Sequence, residues 1–156
     1  MVELQPYQET WAEEFRREAQ RIQGHMVDLM DAIEHIGSTA VPGLLAKPII
    51  DLAARAGERV DPFGLGEQLV PLGYMQHTSG PKNHGVYVRG SAERRTHILH
   101  VFSADQWEHC NQRLFRDKLL RDESARIRYQ ALKESIAVMP DGRDYTAAKQ
   151  FRSKSY

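Results

Sequence analysis

The stretch from His35 to Ala54, HIGSTAVPGLLAKPIIDLAA, constrains this chain more than any other. It closes one apolar segment, breaks at Gly37-Ser38, turns through Pro42-Gly43 and opens a second apolar run carrying an acid, Asp51. Glycine lets the backbone approach a ligand closely and take dihedrals that other residues avoid. Ser38 and Thr39 supply hydroxyls and backbone N–H groups where a short helix can start, a setting that suits a phosphate. Asp51 stands in Ile49-Ile50-Asp51-Leu52, where a carboxylate is costly without a partner, a metal or water beside it. An ordinary tight turn beside a structural acid is the other reading of the same residues.

The 156 residues suit one domain, residues 1–156, with enough chain to bury a real core. The formal net charge is zero, so no global field attracts nucleic acid or an anionic membrane. The lone Cys110 excludes an internal disulfide and fits a reducing compartment; its polar helical setting reads as incidental. No run approaches the roughly 20 apolar residues of a membrane span. The first residues, MVELQPYQE, are acidic and carry no apolar signal core. The expectation is a soluble cytoplasmic protein with a small-molecule or nucleotide ligand and no nucleic-acid partner.

Taken in order, Thr10-x-x-Glu13 is a capping-box pattern, and Trp11, Phe15, Ile22, Met26 and Leu29 form one helical stripe that Gly24 can interrupt. Segments 32–36 and 48–54 predict strands around the Gly-Ser turn. Asp61-Pro62 predicts a helix N-terminus, with Leu65, Leu69 and Leu72 on one face and Gly73 as its stop. Segments 74–77, 85–88 and 95–102 predict three more strands, joined by the partly basic loops TSGPKN and RGSAER. Those loops read as surface hairpins or as a substrate-facing lid. Ser103-x-x-Gln106 is a second capping box, opening a helix to about Leu120. Further helices are expected from Asp122 to Val138 and from Asp144 to about Ser153. The fold class is therefore α/β (α+β): one mixed sheet of about five strands covered by helices, with a helical C-terminal third.

The central motif HIGSTAVPGL-x-AKPIID resembles the signature of the GrpB family, also called UPF0157, placed in the nucleotidyltransferase superfamily. The likeness extends from Glu3-Leu4-x-x-Tyr7 and Trp11 through Phe115-Arg116-Asp117 to Tyr145–Phe151. The superfamily carries h-G-[GS], a gap, then D-x-[DE] on the next strand. Gly37, Ser38 and Asp51 match; Ala53 stands where the second acid belongs. The resemblance implies a nucleotidyltransferase-like fold, a nucleoside triphosphate and a divalent cation, Mg²⁺ or Mn²⁺. It implies either nucleotidyl transfer to a small molecule or a degenerate, non-catalytic site for a nucleotide or a coenzyme-A-related ligand.

On this reading Gly37, Ser38 and Thr39 bind phosphate and Lys47 reaches the same phosphate. Asp51 is the catalytic acid and metal ligand. The later strand that normally supplies a third acid offers His97 and His100 instead. These differ in parity and point to opposite faces. His100 shares a face with Ile98 and Phe102, so it is taken as the catalytic and metal-ligating partner of Asp51. One carboxylate with an imidazole is a poor Mg²⁺ cage and a fair transition-metal one. Arg116 and two Tyr–Lys pairs at i, i+4, Tyr129 with Lys133 and Tyr145 with Lys149, could bind phosphate and stack on a base. The same pairs also read as amphipathic surface. His35 could orient the loop. His25, His77, His84 and His109 read as surface residues. Glu34, Glu93 and Asp117 are the acids that could replace the one missing at Ala53.

Overall fold

The computed structural model describes residues 4–79, 82–91 and 93–137. Helix α1 (Thr10–His25) is followed by strands β1 (Met30–Ile36) and β2 (Ile50–Ala56), with one 3₁₀ turn (Ser38–Ala40) between them. A short α2 (Gly66–Leu69), strands β3 (Tyr74–Gln76), β4 (Gly85–Gly90) and β5 (Arg95–Phe102), then α3 (Ala104–Trp107), α4 (Asn111–Arg121) and α5 (Glu123–Ala137) complete it. The five strands form one mixed sheet in the order β1-β2-β5-β4-β3. Only β2 and β5 run parallel; the other neighbours are antiparallel. The expected α+β class and mixed five-strand sheet are present. Among the described residues, no helix is long and apolar enough to cross a membrane.

β2 lies inside the sheet because its residues tolerate burial on both faces. Leu52, Ala54 and Ala56 join Trp11 and Ile22 of α1 and Met26 just past its end with Leu99, Val101 and Tyr87 in the main core. Each fully buried Leu or Ile there contributes about 1.5–3 kcal/mol. On the opposite face, Ala53 packs with Ile36, Phe102, Trp107 and Cys110. Its small side chain lets the α3 segment approach the sheet. A third cluster (Val41, Leu44, Phe115, Leu119, Ala125 and Tyr129) anchors the loop after the Gly-Ser turn to α4 and α5.

Several expectations change in detail. Thr10 is not an N-cap: Glu9 holds that place with no side-chain cap bond, and Gly24 lies inside the helix without breaking it. One helix over 61–72 is reduced to α2 and a 3₁₀ turn (Val70–Leu72), since Gly64, Gly66 and Pro71 are poor helix formers. Its apolar face is nonetheless right, because Leu65, Leu69 and Leu72 are buried, and Gly73 ends it at φ 91°. The helix expected over 103–120 breaks before Asn111, where Cys110 is extended. The break buries Trp107 and Cys110 together, so Cys110 packs in the core rather than standing in a polar helical setting. The Ser103–Gln106 capping box is formed, and β5 has the expected limits. Val138, the helix expected from Asp144, and the pair Tyr145 and Lys149 lie outside the described residues.

Candidate functional site

β1 ends at Ile36, which lies in register with Asp51 on β2. Gly37 follows at φ 76°, a region where L side chains are strained. A Cβ there would stand 2.7 Å from Asp51 Oδ2. Glycine is thus required twice, by its dihedral and by the carboxylate seated against it. Ser38 and Thr39 are both buried. The Thr39 hydroxyl donates to the Ile49 carbonyl (3.1 Å) and lies 3.0 Å from His35 Nε2, pinning the turn to the start of β2. Having given its one proton to Ile49, it accepts from His35, which places the imidazole proton on Nε2. Burial, with the nearby Arg116 charge, lowers the His35 pKa to about 4 against the opposing pull of Asp51, so the ring stays neutral. It stacks on Phe15 with centroids 4.8 Å apart. The Ser38 hydroxyl is buried with no hydrogen-bond partner among the described residues.

The parallel register pairs Ala53 with His100. His100 therefore shares a face with Asp51, and its Nε2 lies 3.3 Å from Asp51 Oδ1. The structure brings together the two residues expected to meet. His97 takes the other face, where Glu18 acts on it. The other ring nitrogen of His100, Nδ1, meets His84 Nε2 at 3.0 Å. His84 in turn contacts Asn83 Oδ1 (2.7 Å) and stacks on Phe102 at 4.3 Å between centroids. Burial, then the neighbouring His100 and Lys82, lower its pKa to about 4. His84 is thus a buried member of an Asp51–His100–His84 chain, and the reading of it as a surface residue is corrected. Nothing local in the sequence signals this; the pairing of β4 with β5 creates it.

The search for a second acid ends elsewhere. Glu34 shares the Asp51 face but is held by Arg113, through Nε and Nη2 at 3.1 Å each, and by Arg116 at 2.9 Å. Burial alone would raise its pKa; the two guanidinium groups outweigh it and hold the carboxyl below its usual range. Asp117 is bound by Arg116, and Glu93 is exposed. Arg116 also donates from Nη1 to the His35 carbonyl at 3.0 Å, so it braces the strand just before the turn. Arg113, unnoticed in the sequence, completes this layer by stacking over Trp107. Among the described residues, no three His, Cys, Asp or Glu side chains converge as a metal cage.

The GrpB protein family model matches residues 1–154. The chain belongs to the GrpB family. It is 33% identical over 150 residues to a UPF0157 protein of Streptomyces coelicolor, covering 95% of this chain and 78% of that one. It is 32% identical to the glutamate-rich protein GrpB of Alkalihalophilus pseudofirmus, covering 87% and 81%. Among solved structures it resembles the conserved protein GrpB of Enterococcus faecalis, with a TM-score of 0.78, 26% identity and coverage of 98% and 96%.

In this GrpB-family chain the remaining site candidates lie further along the turn. Lys133 is buried, its ammonium donating to the Leu45 carbonyl and lying 5.2 Å over the Tyr129 ring. Tyr129 packs edge-on against Phe115. The structure thus places this pair beneath the 41–45 loop as its anchor. Lys47 is half-buried beside Ala46, which bridges to Gln5. On the outer side of the same loop, Pro42, Leu44, Arg126, Ile127 and Gln130 line an open cavity of about 350 Å³.

Proposed function

We propose that this domain binds the phosphate chain of a nucleoside triphosphate at the Gly37-Ser38 turn, with one divalent cation at Asp51 and His100. Nucleotidyl transfer to a hydroxyl, amine or carboxylate of a small molecule is the reaction such a site supports. The observation that carries this reading is the seating of Asp51 Oδ2 on Gly37, where no side chain can stand. A backbone turn and a carboxylate thereby share one point at the junction of β1 and β2. The Ser38 hydroxyl beside them, buried without a hydrogen-bond partner among the described residues, supports a ligand rather than a purely structural turn. The likeness of Gly37-Ser38 and Asp51 to the nucleotidyltransferase pattern supports the same assignment.

The residues fit a cation only in part. Two ligands about 2.1 Å from an ion stand roughly 3.0–3.4 Å apart at adjacent corners, which the 3.3 Å between Asp51 Oδ1 and His100 Nε2 matches. His84 holds the other nitrogen of His100, the usual arrangement around a ligating histidine. Two donors alone bind weakly, so phosphate oxygens have to complete the set. A bound cation would neutralise phosphate charge as it develops. The carboxylate–imidazole pair favours Mn²⁺ over Mg²⁺. Arg116, committed to Glu34, Asp117 and the His35 carbonyl, acts by fixing the turn.

A second reading is a non-catalytic module for a nucleotide or a coenzyme-A-related ligand. Ala53 in place of an acid, and Glu34 bound by two arginines, favour it. Calorimetric titration with ATP, GTP, CTP and UTP, in Mg²⁺ and in Mn²⁺, beside Asp51→Asn, tests both. Cation-dependent binding lost in Asp51→Asn, with pyrophosphate release on adding an acceptor, supports transfer. Binding without pyrophosphate release leaves the module, and no binding removes both readings.

A further inference from the structure

The strand register sets Asp51 in a row that crosses to the far edge of the sheet. Asp51 lies beside Ile98, Ile98 beside Val88, and Val88 beside Met75. Residues in register across a pleated sheet project from one face, so these four side chains form a single line. At its β1 end the line meets Ile36, which is covered by Phe102, Trp107 and Cys110. At its β3 end it is open: Ile98 and Val88 are half-buried, and Met75 is 77% exposed. With strands about 4.8 Å apart, the apolar part reaches roughly 14 Å from the acid.

We infer that this row is the floor on which the base of the bound nucleotide lies, its phosphates directed toward Gly37 and Asp51. The inference rests on the nucleotide reading above and adds where the base sits and which residues hold it. The row offers an uncharged surface that starts next to the carboxylate, as a ligand with one anionic end and one flat apolar end requires. Branched Ile98 and Val88 present methyl groups to a ring face, and a thioether sulfur packs well on aromatic rings. A nucleotide fits this layout, with its phosphates at the glycine turn and its flat ring along the apolar row.

The test is calorimetry with ATP, inorganic tripolyphosphate and octyl phosphate, all in Mn²⁺. Wild type is expected to bind ATP more tightly than tripolyphosphate. Met75→Ala is expected to weaken ATP about 2- to 10-fold while leaving tripolyphosphate unchanged. Met75 is exposed, so that variant should fold, and thermal melting checks it. Val88→Thr provides a second variant at the centre of the row. Equal affinity for ATP and tripolyphosphate, or Met75→Ala with no selective effect on ATP, overturns the floor and leaves the phosphate site standing. Octyl phosphate binding as tightly as ATP overturns the base in favour of an alkyl occupant. Binding of neither ATP nor tripolyphosphate overturns the floor and the nucleotide reading together.

Discussion

Glu18 and Asp51 are both carboxylates set against the sheet, one on each face, and their surroundings differ. Glu18 is buried and receives Arg21, Arg89 and the Tyr74 hydroxyl at 2.6–3.0 Å. Its burial alone would raise its pKa, but these partners prevail and hold it below the usual range. That network ties α1 to β3 and β4, and Arg21 also reaches the Leu72 carbonyl. Asp51 is half-buried, faces an imidazole and rests on a glycine. A charge enclosed by two cations and a phenol stabilises the fold. A charge set against a histidine at a backbone turn is where the proposed function places its ligand.

Removing Glu18 tests this contrast most strongly. Glu18→Ala leaves Arg21, Arg89 and Tyr74 without their common acceptor, and should cost about 3 kcal/mol in urea unfolding. An effect under about 1 kcal/mol would place Glu18 with ordinary surface pairs. Next, Gly37→Ala should cost about 2 kcal/mol, from the positive φ and the contact with Asp51 Oδ2. Pairing it with Asp51→Gly should recover the contact part but not the dihedral part, which a double-mutant cycle reads directly.

His35 gives a smaller effect with a defined sign. Its folded pKa is about 4 and its unfolded value near 6.5, so the unfolded chain takes up the proton first. The His35 contribution is full above pH 6.5 and falls away as the pH drops toward 4. Melting temperatures between pH 7 and 4.5 should show a shallower decline in His35→Phe than in wild type. The smallest effect on stability is expected from Asp51→Asn, within about 1 kcal/mol. The same change should abolish cation-dependent nucleotide binding. A large loss of stability with binding intact would make Asp51 a second Glu18.

Much of this architecture is legible before folding is considered. The run from Arg95 to Phe102, rich in β-branched and apolar residues, is a strand of those limits, and its alternation puts His97 and His100 on opposite faces. Gly37-Ser38 and Asp51 announce a turn with an acid on the next strand, and the Ser103–Gln106 box forms. What was missed depends on partners distant in sequence. His84 looks like a loop residue until β4 pairs with β5 and sets it on His100 and Phe102. Glu34 looks like a spare acid until α4 brings Arg113 and Arg116 to it. Tyr129 and Lys133 look like a surface pair until the 41–45 loop closes over them.

By itself the sequence determined the strands and most of the helical segments, the positions of the glycine turn and the acid, and the family, because these follow from local backbone preference and residue pattern. Tertiary structure alone decided which charges are enclosed, as Glu18 is, and which stay half-buried, as Asp51 does. It also decided that Asp51 continues into Ile98, Val88 and Met75, since strand order and register join residues that no short-range pattern connects.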